Sequence, residues 1–195
     1  MKMKLTAFIV LVFCAINLCG QKYTPHIITT NNGERIEALA HIKKNYILYK
    51  TNPNSKETVK LFSHEVKYAA EVSGDSIMLF SGIPVYHQLS DATSPSNVGW
   101  IRFLTDPRKE PVSVYVYHYL VGKSYVTVLG CYRQGDGYGQ DVFKSNAFPK
   151  NNKEAMAKYF ADCPSLVEYI NNMRMINMRY DDFFNIVSEY NHCVE

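Results

Sequence analysis

The chain has 195 residues, and its 21 Lys and Arg residues against 18 Asp and Glu residues give a formal net charge of +3. That balance lacks the basic surplus that favours nucleic-acid binding, and it includes no block of like charge typical of a disordered tail. The length is sufficient for one domain with a substantial hydrophobic core.

Residues 1–20 are interpreted as a secretory signal peptide. Lys2 and Lys4 form a short positive segment, and the apolar run from Leu5 to Leu18 that follows has 14 residues. A membrane-spanning helix needs roughly 20 apolar residues, so this run is too short to span but suits a signal sequence. We therefore expect an exported protein that is periplasmic, associated with the outer membrane or secreted, with no membrane span after cleavage. The alternative is a lipid-anchored form, in which Cys19 carries the lipid.

Residues 21–145 are predicted to form a mostly antiparallel β-sheet or a small open barrel. Short runs rich in β-branched and aromatic residues alternate with turn signals such as NNGE (31–34), and the alternation of strands and helices that predicts a parallel sheet is missing. The stretch GDGYGQD (135–141) is interpreted as a flexible connector to the helices, because its aspartates lack the further oxygen ligands of an EF-hand calcium loop.

The best-defined unit of this region is the hairpin VSVYVYHYLVGKSYVTVLGCY (112–132). A two-residue turn at Gly122–Lys123 sets a register in which Tyr115 lies opposite Gly130, so that the tyrosine ring covers the glycine. Both faces of the hairpin are apolar. We therefore expect both faces to be covered, and the C-terminal helices are the candidates for covering one of them.

Residues 146–195 are predicted to form a tail of about three helices that packs on the β region. The segments 151–160, 162–170 and 180–191 each have a capping residue at or near their start, and the last two place apolar residues at helical spacing. The sequence as a whole therefore predicts an α+β fold, in which an antiparallel sheet is followed by a helical segment.

Three cysteines remain outside the signal segment. If the second and third helices pack as an antiparallel pair, Cys163 at the start of one lies beside Cys193 just past the end of the other, which predicts a disulfide in an oxidising compartment. The alternative for Cys163 is a reactive thiol at a helix N-terminus. Cys131 is interpreted as a small buried apolar residue on a strand, with a free reactive or intermolecular thiol as the alternative.

Few residues are candidates for a functional site. The six histidines show neither H-x-H nor H-E-x-x-H spacing, and LVGKS (120–124) has Tyr117 where a phosphate loop needs its first glycine. We therefore expect no metal, no cofactor and no catalytic residue. The ligand-binding candidates are aromatic: Trp100, Tyr115, Tyr117 and Tyr119. An exposed row of these rings would stack against sugar rings, whereas the alternative is that the tyrosines pack inside the fold.

Two stretches resemble a group of small uncharacterised exported proteins of Bacteroidota. ITTNNGERIEALAHIKKNYILYK (28–50) is similar to the opening strand pair of that group, and YFADCPSLVEYI…YDDFFNIVSEYNHC (159–193) is similar to its C-terminal D-C-P-x-L segment ending in Y-N-x-x-C. The resemblance implies an exported fold of strands and helices and no particular chemistry. It gives structural weight to the residues of the second motif: Asp162, Cys163, Pro164, Leu166, Tyr190, Asn191 and Cys193.

These observations favour a non-catalytic envelope or secreted module whose partner is a protein, a glycan or another surface of the cell envelope. The first alternative is a carbohydrate- or small-ligand-binding protein, which requires Trp100 and at least two of the three tyrosines to form one exposed row. The second alternative is an enzyme of unrecognised type, which requires a deep pocket where a histidine or an acid meets Cys131 or another nucleophile.

Overall fold

The computed structural model of the chain describes residues 23–86, 96, 98–144, 152–173 and 178–194. These residues form a curled, mixed sheet of eleven strands, comparable to half of a barrel, and three helices that follow it in the chain. The predicted α+β class is therefore confirmed. The predicted signal peptide, residues 1–20, lies outside the described residues.

The strands occupy most of the chain between Thr24 and Lys144. They are β1 (Thr24–Thr30), β2 (Arg35–Ile42), β3 (Tyr46–Lys50), β4 (Val59–Phe62), β5 (Val66–Ser73), β6 (Ser76–Ser81), β7 (Val85–Tyr86), β8 (Ile101–Phe103), β9 (Val112–Val121), β10 (Ser124–Arg133) and β11 (Gly139–Lys144). The helices are α1 (Asn152–Tyr159), α2 (Pro164–Asn172) and α3 (Tyr180–Val194), and a 3-10 turn, Ser63–Glu65, joins β4 to β5.

Neighbouring strands of the sheet run in the order β4-β3-β2-β1-β5-β6-β8-β9-β10-β11-β7. Among the strands named above, neighbours are antiparallel except β11 and β7, which run parallel. The two-residue β7 pairs with a strand that comes much later in the chain and forms one edge of the sheet. The sheet is therefore mixed, although nearly all of its pairing is antiparallel.

The predicted hairpin forms with the predicted register. Val121 pairs with Ser124 across the turn, and Tyr115 pairs with Gly130. Gly122 has a φ of 61°, a left-handed conformation that glycine adopts without steric cost, and this conformation is what a two-residue hairpin turn requires. The inner half of the hairpin is buried on both faces.

The glycine-rich stretch that precedes the helices is only partly a connector. From Gly139 onward it forms β11, which pairs with β10 through a register shift between Leu129 and Gly130. The interpretation as a flexible connector is wrong for the strand part, because a glycine within a strand marks a close approach of another group as readily as it marks a turn. Here that group is the ring of Tyr115, which comes within 2.5 Å of the position that a Cβ of Gly139 would occupy.

Three hydrophobic clusters stabilise the described part of the chain. The first lies between the helices and one face of β9–β11, where Val114 and Phe183 are among its buried members. The second lies on the opposite face of these strands around Phe103 and Tyr115, and the third joins β1, β2, β3 and β5 around Ile28. The helices thus cover one face of the C-terminal strands, and the curl of the sheet brings residues of β5 and β6 toward the other.

Two polar contacts hold the helical tail to the base of the β9–β10 hairpin. The Asn191 side chain on α3 accepts a hydrogen bond from the Val112 amide (2.8 Å) and donates one to the Val112 carbonyl (2.8 Å). On the other strand, Arg133 donates to the carboxylate of Asp162 (2.7 Å), which also accepts a hydrogen bond from the Tyr190 hydroxyl (2.6 Å). Val112 and Arg133 are cross-strand partners, so the two contacts clamp the same rung of the hairpin.

The predicted disulfide between Cys163 and Cys193 is confirmed. The two Cα atoms lie 6.1 Å apart, within the range that a disulfide bridges without backbone movement. Cys163 immediately precedes α2, whose first residue is Pro164, and Cys193 lies in the last turn of α3. The start of one helix therefore lies beside the end of the other, and Cys163 is not a free reactive thiol.

Replacement of both bridge cysteines by alanine (Cys163→Ala with Cys193→Ala) should lower the free energy of unfolding by about 3–4 kcal/mol, because the bridge constrains a loop of 30 residues in the unfolded chain. Urea unfolding followed by circular dichroism measures the difference. Cys131→Ala is the control, since it removes a buried sulfur and leaves the bridge intact. Equal stability of the oxidised and the fully reduced protein would contradict this role of the disulfide.

Candidate functional site

The three tyrosines predicted to bind a ligand share one face of β9, but they do not form an exposed row. Tyr115 and Tyr117 are buried and Tyr119 is half-buried. Ring centroids are 6.4 Å apart between Tyr115 and Tyr117, and 6.1 Å apart between Tyr117 and Tyr119. Trp100 packs against a different cluster, the one around Ile28. These four residues therefore do not form the single exposed row that the sugar-binding alternative requires, because Tyr115 and Tyr117 are buried and Trp100 lies in another cluster.

A buried carboxylate explains the placement of the inner two tyrosines. Asp141 on β11 accepts a hydrogen bond from the hydroxyl of Tyr115 (2.9 Å) and another from the hydroxyl of Tyr117 (2.7 Å), and all three side chains are buried. A buried carboxylate is costly unless it is hydrogen-bonded, and a buried phenol also needs a partner. The two hydroxyls therefore provide the donors that the buried carboxylate needs, and the carboxylate provides the acceptor that each hydroxyl needs.

The electrostatics of this group are those of a structural contact. Burial raises the pKa of Tyr115 and of Tyr117 above the ordinary value of 10.0, and the negative charge of Asp141 raises both further. Both hydroxyls therefore keep their protons at neutral pH and act as donors. A general acid or base works best with a pKa near the working pH, so the arrangement is suited to holding β9 against β11 and not to proton transfer.

Cys131 lies on the opposite, helix-covered face of the hairpin. Its thiol is buried next to the hydroxyl of Tyr159, in a geometry outside that of a regular hydrogen bond. Burial raises the pKa of the Cys131 thiol to about 12, although Tyr159 and Arg133 oppose part of that rise. The thiolate is the nucleophilic form of cysteine. These observations favour a buried apolar role over a reactive or intermolecular thiol.

An open groove with a volume of about 610 Å³ lies between α2 and α3. It is lined by the Cys163–Cys193 bridge and by Tyr169, Glu189 and His192, among others. The Nδ1 of His192 donates a hydrogen bond to the Ser188 carbonyl (2.7 Å), and the bridge occupies both sulfur atoms. The groove therefore offers a concave surface, but its two cysteines supply no thiol nucleophile.

The outer part of the β9–β10 hairpin projects beyond the neighbouring strands. The pairing of β8 with β9 reaches no further than Val116, and the pairing of β11 with β10 begins at Val128. Residues 118–127, which we call the arm, therefore form a two-stranded ribbon without a further paired strand among the described residues. Burial changes at the same point, since β9 is buried as far as Tyr117 and exposed or half-buried from His118 onward.

The most exposed side chains of the arm include three that are large and apolar. Leu120 is 59% exposed, Val121 is 55% exposed and Tyr125 is 78% exposed. Leu120 and Tyr125 are cross-strand partners on one face, and Val121, as the next residue of β9, lies on the other. Lys123 places a positive charge in the turn, and residues 112–133 contain neither Asp nor Glu. The arm therefore has exposed apolar side chains on both faces, beside the polar pair His118–Thr127, and a positive charge at its tip.

Neither a metal site nor a spanning helix is found in the ranges that the structure describes. No group of three or more His, Cys, Asp or Glu side chains in these ranges is arranged to hold a metal ion. No helix in the same part of the chain has the length and apolar character needed to cross a membrane.

Comparison of the whole chain with models of protein families gave no match, and no curated protein or solved structure proved similar to it. The function therefore has to be inferred from the residues of this chain.

Tyr117→Phe should lower the free energy of unfolding by about 1.5–3 kcal/mol, the usual size of a hydrogen bond to a charged group, because it leaves the buried carboxylate one donor short. Asp141→Asn in the same background should add less than its effect alone, since the two side chains are directly coupled. Urea unfolding of the four proteins of this cycle measures the coupling. Tyr125→Phe, at an exposed position, is the control and should change little; strictly additive losses would contradict the coupling.

The free energy of unfolding should fall as the pH rises above about 10. The unfolded chain loses the Tyr117 proton near its ordinary pKa, whereas the folded protein retains that proton because its pKa is raised. The Tyr117→Phe variant should therefore lose stability less steeply, by up to about 1.4 kcal/mol per pH unit. Unfolding curves between neutral and strongly alkaline pH test this, with Tyr125→Phe as the control. Parallel curves for wild type and Tyr117→Phe would contradict the assignment.

Proposed function

We propose that this protein is an exported, non-catalytic module that binds another component of the cell envelope through the arm. The observation that carries the proposal is the exposure of Leu120, Val121 and Tyr125 at the projecting end of the sheet. Scattered apolar residues are normal on a protein surface, but neighbouring ones on a projecting element mark an interaction site. These three side chains contribute little to the three hydrophobic clusters, so their contribution to folding does not explain them.

Export is supported by two independent features. The positive and apolar segment at residues 1–20 has the pattern of a signal peptide. The Cys163–Cys193 bridge is the second feature, because disulfides persist in the periplasm and outside the cell. The resemblance to small exported proteins of Bacteroidota agrees with both. We infer a periplasmic, outer-membrane-associated or secreted protein.

The clamped base of the hairpin supports the arm as the binding element. Asn191 and Arg133 fix the base rung to α3 and to the segment before α2. A binding surface is presented more accurately by an element with a rigid support than by a free loop. Burial of Tyr115 and Tyr117 also favours this function over the sugar-binding alternative, because those rings are committed to the interior.

A photo-reactive phenylalanine derivative at Tyr125 tests the proposal in cells that export the protein. Irradiation should give an arm-dependent crosslinked product. The same derivative at Ile77, which is 58% exposed and lies on β6, is the matched control and should give none.

A variant of the arm provides the second part of the test. Leu120→Thr combined with Val121→Thr should remove the product, since threonine keeps the β-propensity of the strand and removes the apolar surface. An unchanged thermal midpoint shows that the variant is folded. Equal crosslinking from Tyr125 and Ile77, or no effect of the two threonines, would contradict the role of the arm.

A further inference from the structure

We infer that the component bound by the arm is the surface of a phospholipid bilayer with anionic headgroups. This inference rests on the proposed function, because it names the partner of the same surface. The observations that carry it are the distribution of apolar side chains over both faces of the arm, the sign of its charge and its length.

The first observation is that both faces of the ribbon carry exposed apolar side chains. Leu120 and Tyr125 lie on one face, and Val121 lies on the other. A groove or a flat patch on a protein covers mainly one face of a ribbon and leaves the other in water. The boundary between lipid headgroups and acyl chains surrounds an inserted element on all sides, so it covers both faces together.

The second observation is the charge of the hairpin. Lys123 lies in the turn, and the 22 residues from Val112 to Arg133 include no acidic side chain. Anionic lipids give a membrane surface a negative potential that attracts Lys and Arg and repels acidic groups. The Lys123 stem is apolar, so the ammonium group can extend back toward the phosphates when the tip of the arm enters the boundary. The arm is thus complementary to an anionic surface.

The third observation is the length of the arm. Four rungs, from His118–Thr127 to Val121–Ser124, lie beyond the pairing with β8 and β11. At about 3.4 Å per residue they extend roughly 13 Å. Interfacial elements enter a bilayer to a depth of about 5–10 Å, so the arm reaches the headgroup boundary without contact between the rest of the sheet and lipid. Tyr125 suits that depth, because a tyrosine ring is apolar and its hydroxyl is polar.

Flotation with lipid vesicles tests this inference on the protein purified from cells that export it. The protein should float with mixed phosphatidylcholine–phosphatidylglycerol vesicles more than with phosphatidylcholine vesicles, and added salt should weaken binding. Leu120→Thr combined with Val121→Thr should reduce partitioning by about tenfold or more, since each side chain loses apolar transfer energy. Lys123→Glu should reduce binding to the anionic vesicles by at least about fivefold and have less effect on the neutral ones.

Tryptophan substitution measures how deeply the arm enters the bilayer, which distinguishes insertion from adsorption to the membrane surface. Brominated lipids should quench the tryptophan fluorescence of the Tyr125→Trp variant. They should leave the fluorescence of the Ile77→Trp variant near the level of the wild type, in which Trp100 provides the common background. Ile77→Thr is the matched control for lost apolar exposure and should float like the wild type. Vesicle binding that persists in the arm variant, or quenching that is equal at both positions, would overturn the inference.

The inference and the proposed function fail differently. If the protein does not float with either kind of vesicle but the Tyr125 photo-adduct with a protein persists, the lipid partner is wrong and the interaction role of the arm stands. An adduct between two copies of this chain, with no flotation, also overturns the lipid partner. If both flotation and arm-dependent crosslinking are absent, both proposals are wrong.

Discussion

The Tyr115 side chain lies across the two strands that follow β9 in the sheet, over Gly130 of β10 and Gly139 of β11. A Cβ at Gly130 would lie 2.3 Å from the ring and one at Gly139 would lie 2.5 Å from it, so a larger residue at either position displaces the ring, and at Gly130 it also meets the Gln140 carbonyl at 2.4 Å. The buried ring needs a partner for its hydroxyl, and Asp141 provides it from the same face of β11 as Gly139. Because one phenol is a poor replacement for water around a carboxylate, the second donor, Tyr117, becomes part of the same arrangement.

The helical tail is attached to the base of the β9–β10 hairpin. Asn191 satisfies both backbone groups of Val112, and Arg133 pairs with Asp162 while its guanidinium lies 5.2 Å from the centroid of the Tyr190 ring. The residues of the D-C-P-x-L and Y-N-x-x-C motifs thus have structural roles as a bridge, a helix start, buried side chains and clamps. The salt bridge is partly exposed and contributes little alone, so the apolar helix faces buried against β9–β11 and the two hydrogen bonds of Asn191 provide most of the attachment, while the disulfide holds α2 and α3 to each other.

Local rules were sufficient to predict the elements whose partners are close in sequence. The turn at Gly122–Lys123 and the period of two set the hairpin register, and the helix pair α2–α3 set the disulfide, because in each case the chain reverses once over a short distance. The sequence does not indicate β7, because its strand partner β11 comes much later in the chain, and it does not indicate β11, because the glycines before and within that strand favour a turn although the strand pairs with the neighbouring β10. The burial of Tyr115 and Tyr117 agrees with the expectation that both faces of the hairpin are covered and with the alternative that the tyrosines pack inside the fold; the sequence does not indicate the carboxylate that their hydroxyls share. The sequence indicates the position of Asp141 only weakly: Gly139 and Asp141 are two residues apart, as residues on one face of a strand are.

The edge strands of the sheet differ from the arm in how they are protected against association with another chain. β4 is an edge strand, yet it is protected against pairing with another chain: Lys60 lies over the ring of Phe62 at 4.4 Å, and Glu65 accepts a hydrogen bond from the Phe62 amide at 2.6 Å. The other edge is the two-residue β7. Charged residues and short edge strands are the devices by which sheets avoid unwanted association. Leu120, Val121 and Tyr125 of the arm remain exposed, although a two-stranded ribbon gains little stability by itself. Val59 and Phe62 of β4 are also exposed, but Lys60 lies over the Phe62 ring, whereas no such cation covers Leu120, Val121 or Tyr125 among the described residues; the apolar surface of the arm is therefore best explained by a partner.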